Sequence, residues 1–272
     1  MMNIAPRVWK VPMIKLGVVT YNIAKDWDLD TLFKRLPMLG FEGVELRTGH
    51  AHKVEVGMSP AERSELKSRF DDSPLELAGL GSAFEYQSSD TSVVRRNIEG
   101  TKDYIRLAHD IGSPGIKVRP NGVVKGVDPE QTYAQIGRAL REVGQDAADF
   151  GVEIRVEVHG EVTQLLPNFA KIIANADHSN IYVCWNSNPS DVVQSSIREN
   201  FGRVADKIRE VHLRDLTDST YPWRDLFARL QSSEFDGFTL AEIPESSDPE
   251  RVLRYFRSLW LAYQPTEVKS PR

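Results

Sequence analysis

Cysteine occurs once, at Cys184, which excludes an internal disulfide framework and a cysteine-built zinc site within one chain. Long apolar runs are missing as well: no stretch reaches the roughly eighteen residues of a membrane span. The opening "MMNIAPRVWKVPMIK" has no continuous apolar core followed by a small-residue cleavage site, so no leader and no membrane partner are expected. With the lone thiol, that reads as a cytoplasmic protein. An excess of basic charge is also lacking. Lys and Arg number 34 against 39 Asp and Glu, a net charge of −5, which argues against nucleic acid as a partner. Finally, no glycine fingerprint follows the first strand, and "GLGSAFE" further on lacks the third glycine of a phosphate loop.

What the chain does have is 40% hydrophobic residues, enough to bury a substantial core. These residues fall into short β-branched runs, each followed by a longer segment with apolar residues at helical spacing. The strand candidates are "KLGVV", "GVELR", "LELAGL", "GIKVR", "VEIRVEV", "IYVCW", "IREVHL" and "GFTLAEI", at intervals of about 27 to 39 residues. Helix starts punctuate the intervals. Ser59-Pro60-Ala61-Glu62 supplies a cap, a first-turn proline and a capping-box glutamate, and Asp128-Pro129 and Asp248-Pro249 repeat the cap and proline. Ile136, Leu140, Val143 and Ala147 form one apolar stripe, and Val252, Phe256 and Leu259 another. Repeated βα units with no linker predict an α/β fold, a single (β/α)8 TIM barrel over residues 15–263. Residues 1–14 are read as an N-terminal extension and 264–272 as a polar tail.

Alternation along the strands then says what lies inside. In "EIRVEVH", Ile154, Val156 and Val158 take one face, leaving Glu153, Arg155, Glu157 and His159 on the other. The same split isolates Lys117 with Arg119, Glu45 with Arg47, and His212 with Arg214. Buried charge is costly unless paired or bound to a metal, so the interior must be an ion-pair network, a site, or both. Glu153 with Arg155 and Glu45 with Arg47 read as structural pairs. Sites of this architecture collect at the C-terminal strand ends. There stand Glu157 and His159, Asn186 and Asn188, His212 and Arg214, and Glu242. Two carboxylates, an imidazole and an amide from adjacent strands can converge on one divalent cation; without thiolates the set does not choose among Mn2+, Mg2+, Co2+ and Zn2+.

The order of Glu in "RVEVHG", His in "VHLRD" and Glu in "TLAEIP" resembles the xylose isomerase-like TIM barrels, in particular the sugar phosphate isomerase/epimerase group, over about residues 15 to 263. The resemblance implies one divalent metal, Mn2+ first, held by Glu157, Asn186, His212 and Glu242. It also implies that Glu157 and Glu242 exchange protons with a small keto-sugar or polyol through a cis-enediolate. Asn186 stands where that group has aspartate, which lowers the formal ligand charge from −3 to −2, and Pro189 replaces a histidine often found there. Expected substrate contacts are Tyr21, Arg47, His50, His52, Glu85, Lys117, Arg119, Asn121, His159, Asn188 and Arg214. A lyase or dehydratase using the same metal and glutamates is the alternative, and a sugar-binding barrel without catalysis a further one. The AP endonucleases of this fold have more histidines and a basic surface that this acidic chain lacks. A carbohydrate is the expected partner, and a homo-oligomer is left open.

Overall fold

The structure is a computed structural model that describes residues 14–265. The expected N-terminal extension and polar tail therefore lie almost wholly outside the described residues. The strands are β1 (Lys15–Val19), β2 (Gly43–Arg47), β3 (Glu76–Glu85), β4 (Gly115–Arg119), β5 (Glu153–Glu157), β6 (Ile181–Asn186), β7 (Ile208–Leu213) and β8 (Phe238–Ala241). After each comes a helix: α1 (Leu29–Met38), α2 (Pro60–Asp71), α3 (Thr91–Ile111), α4 (Pro129–Asp149), α5 (Leu166–Ala176), α6 (Ile197–Gly202), α7 (Trp223–Ser232) and α8 (Pro249–Tyr263). All strands pair in parallel in sequence order, and β8 closes on β1, so the sheet is a (β/α)8 barrel as the periodicity predicts.

Local chemistry accounts for the helix starts. Ser59 and Glu62 close a reciprocal capping box on α2, while Asp128 and Asp248 cap α4 and α8 ahead of a first-turn proline. Ile136, Leu140, Val143 and Ala147 are all fully buried against the sheet. On α8 the buried stripe is Leu253, Phe256 and Trp260, with Val252 and Leu259 packed at its edge, a rotation of one residue from the expected stripe.

Strand β3 runs five residues past "LELAGL", through the "GLGSAFE" segment, and its glycines serve the barrel interior rather than a phosphate. A Cβ at Gly81 would lie 2.3 Å from Glu45 Oε1, and one at Gly79 would stand 3.3 Å from Glu210 Oε1 and 3.4 Å from Arg155 Nη1. Missing side chains on β3 thus make room for charged ones from β2, β5 and β7.

The lower interior is an ion-pair network. Arg155 donates to Glu153 at 2.9 Å, to Glu210 at 3.1 Å and to the Ala78 carbonyl at 2.8 Å. The expected Glu153–Arg155 pair is present. The expected Glu45–Arg47 pair is not: Glu45 Oε2 sits 3.0 Å from His212 Nε2, across the axis, instead. Burial together with the charge of Glu45 lifts Glu210 to about 7, whereas His212 and Lys117 hold Glu45 low despite its burial.

Candidate active site

The C-terminal ends of the strands enclose a cavity of about 320 Å3, and side chains from six strands or the loops after them reach it. Tyr21 and Asn22 come from the loop after β1, Arg47 from the end of β2, and Lys117 and Arg119 from β4. Glu157 and His159 enter from β5 and its loop, Asn186 from the end of β6, and Glu242 with Ile243 and Pro244 from beyond β8. A larger cavity of about 580 Å3 opens at the opposite end, between the turn before β6 and the residues before β7. It gathers no converging metal donors, so chemistry and not size selects the smaller one.

At the cavity floor, Glu157, His212 and Glu242 each turn one ligand atom to within 4.8 Å of the others. His212 is fully buried, and its Nδ1 has no hydrogen-bond partner while lying 3.5 Å from Glu242 Oε2. Its Nε2 is directed at Glu45, which fixes the ring so that Nδ1 faces the centre, the carboxylate–histidine arrangement that orients metal-ligating imidazoles. Oxygen donors with one oriented imidazole fit a divalent ion. Burial alone would lower the His212 pKa, but the neighbouring Cys184, Glu45 and Glu242 hold it well above its usual value.

Glu157 is the most constrained of the donors. Its Oε2 accepts from Lys117 Nζ at 2.7 Å and its Oε1 from Asn186 Nδ2 at 3.1 Å. Burial would raise this carboxyl, yet the charge of Lys117, then of His212 and His159, holds it down to about 2. Lys117 in turn stays firmly protonated: burial opposes its charge, and Glu157 and Glu45 outweigh burial. Glu242 has no side-chain hydrogen-bond partner among the described residues, which leaves it the freer carboxylate.

Of the other expected contacts, Tyr21, Arg47, Arg119 and His159 line the cavity, with Arg47 lying over the Tyr21 ring. His159 keeps a buried Nδ1 without a partner. Glu85 is taken by Arg119 at 2.6 Å, and His50 stays at the rim, its ring 6.1 Å from that of Tyr21. Four residues depart from expectation. His52 is buried, its Nδ1 accepting from Val54 N and its Nε2 donating to the Arg47 carbonyl, so it braces the loop after β2 and does not reach the cavity. Asn188 donates to the Val158 carbonyl at 2.6 Å. Asn121 takes a positive φ of 57° in the loop after β4, outside the cavity lining. Arg214 turns to Asp218 at 2.8 Å and lies over the Tyr221 ring. Each of the four stands past the end of its strand, as do His159 and Glu242, which nonetheless reach the cavity, so local partners and not position alone set the direction.

Sequence reasoning did not single out Ile243 and Pro244 as lining residues, nor Glu210 as an interior partner. Glu210 carries the same two-residue signal as His212. Asp191 also escaped notice: fully buried beside the mouth, it accepts from Tyr221 Oη at 2.5 Å, and burial lifts its carboxyl well above the usual range.

Sequence comparison settles the lineage. The profile of the xylose isomerase-like TIM barrels matches residues 33–260. The chain belongs to that family. Among solved structures, this xylose isomerase-like barrel is similar to 3-keto-D-glucoside 4-epimerase from E. coli, at 14% identity and a TM-score of 0.76 over 92% of this chain and 99% of the other. It is similar to a probable 3-DHS dehydratase involved in petrobactin synthesis from Bacillus anthracis, at 13% identity and a TM-score of 0.72 over 91% and 99%. It also resembles an IOLI protein with a bound zinc atom, at 15% identity and a TM-score of 0.76 over 92% and 98%. At such identities the likeness is one of fold. A sequence search of curated proteins finds no match.

Proposed function

We propose that the chain is a metal-assisted isomerase or epimerase of a small keto-sugar or polyol, working by proton transfer at carbon through a cis-enediolate. The observation that carries this reading is the meeting of Glu157, Glu242 and His212 Nδ1 at the floor of one polar cavity. Glu157, His212 and Glu242, with Asn186 beside them, are the residues that would hold the ion. A bound divalent ion, Mn2+ for preference, polarises the substrate carbonyl and so acidifies the neighbouring C–H bond.

The protein's own groups divide the remaining work. Both Glu157 oxygens are already engaged by Lys117 and Asn186, so Glu242 is the carboxylate free to take the carbon-bound proton. The electron pair of that bond moves to the carbonyl oxygen, giving the enediolate. Return of a proton to the neighbouring carbon gives the isomer, and return to the opposite face of the same carbon gives the epimer, with Glu157 the second carboxylate in reach. Arg47, Arg119 and Tyr21 supply donors for substrate hydroxyls. Glu157→Gln and Glu242→Gln, assayed separately on a panel of ketoses and keto-sugars, are each expected to lower turnover by roughly 10²- to 10⁴-fold. Turnover that survives both changes would sink the assignment.

His159 supports a second reading, a lyase or dehydratase on a keto-sugar or keto-glycoside. Its imidazole lines the cavity with an unengaged Nδ1, suited to protonating a leaving group after the same first step. Product analysis on 3-keto-glycosides against free ketoses separates the two.

A further inference from the structure

Lys117 and Glu157 form an ion pair 2.7 Å long whose side chains are each 4% exposed. The ammonium is therefore a fixed charge in the wall of the cavity, not a mobile surface lysine. Glu157 is also one of the three donors that converge on the candidate metal centre. An ammonium and a divalent ion both seek the same carboxylate and repel one another, and in a buried centre that repulsion is weakly screened. Glu157 and Glu242 bring a formal −2 to the centre, Lys117 brings +1, and an incoming divalent ion meets only −1. Asn186 acts in the same sense. It turns its amide hydrogens toward Glu157 Oε1 at 3.1 Å, so ligation through its oxygen requires the amide to turn round and give up that bond.

We propose that Lys117 is a tethered cation that competes with the divalent ion for Glu157 and makes this a weak, exchangeable metal centre. Occupancy then follows the free-ion concentration, and Lys117 neutralises Glu157 whenever the ion is absent. The inference rests on the reading that this centre takes a divalent ion.

The test is Mn2+ binding to chelator-treated protein, read by calorimetry and by the electron paramagnetic resonance signal of free Mn2+, with thermal melts as a check on folding. Wild type is expected to lose its metal on dialysis against chelator. Lys117→Met and Lys117→Gln are expected to bind Mn2+ at least tenfold more tightly, equivalent to about 1.4 kcal/mol. Lys117→Arg, which keeps the charge, retains the weak affinity. Folded Met and Gln variants with unchanged or weaker affinity would overturn the proposal. So would wild type that keeps one Mn2+ per chain through chelator dialysis, a result that needs no variant and leaves the metal-centred function standing. Absence of binding to every form at millimolar Mn2+ would remove the proposal together with that function.

Discussion

In the lower half of the barrel interior Arg155 is held between Glu153 and Glu210, and Glu45 closes on His212. In the upper half, Lys117, Asn186 and Glu242 border a cavity of about 320 Å3. The two halves draw on the same residue types and the same strand alternation. They differ in what completes each charge. Below, protein groups hold Arg155 and the Glu45–His212 pair at fixed distances, although Glu45 Oε1 and Glu210 Oε2 also have no hydrogen-bond partner. Above, the buried Nδ1 atoms of His159 and His212 have no hydrogen-bond partner, and Glu242 borders the cavity. Buried charge in a barrel is thus no mark of a site by itself; donors that converge on a cavity at the C-terminal end are.

Glu242→Gln gives the largest expected effect, since it removes a carboxylate that no protein donor holds. Turnover is expected to fall by roughly 10²- to 10⁴-fold, while the unfolding free energy moves by less than about 0.5 kcal/mol, measured by urea titration. An equally large loss of stability would erase the distinction between the halves. Arg155→Met should behave in the opposite way. Leaving Glu210 and Glu153 without their partner is expected to cost about 3–5 kcal/mol of stability in the same titration.

A smaller effect is expected from Gly81→Ala, whose Cβ would meet Glu45 Oε1 at 2.3 Å. Displacing Glu45 is expected to cost about 1–3 kcal/mol. A neutral result in urea would mean that the lower network is looser than its distances suggest.

The smallest effect concerns Asp191, a buried carboxyl of the rim. Its folded-state pKa is raised, so its contribution to stability is fully present below the unfolded carboxylate range and is lost as pH rises toward the folded value. Asp191→Asn removes that dependence. The stability of wild type relative to the variant is therefore expected to decline as pH increases above about 4, followed by thermal melts from acid to neutral pH. A difference that grows with pH would mean that Asp191 is ionised and paired in the folded state.

All eight strands were legible from β-branched runs and helix-start signals, because parity and helical spacing are local properties of the chain. Glu157, Lys117 and Asn186 were legible for the same reason, each standing within a strand or at its very end, and Glu242 follows the last residue of β8 directly. His52 was not. Its engagement with the Arg47 carbonyl and Val54 N exists only once the loop after β2 has closed on itself. Arg214 was placed by extending the β7 alternation beyond Leu213, where the backbone leaves the sheet and its direction is set instead by Asp218 and Tyr221.

The sequence by itself determined the barrel and the inward set of charges, since each follows from residue type and short-range periodicity. Only the tertiary structure decided which charges complete one another. Glu45 and His212, 167 residues apart, meet across the axis once the sheet closes, while Lys117 and Glu157, 40 residues apart, meet through the pairing of β4 with β5. The pairing of β4 with β5 is what sets Lys117 beside Glu157, a contact that no pattern along any single strand contains.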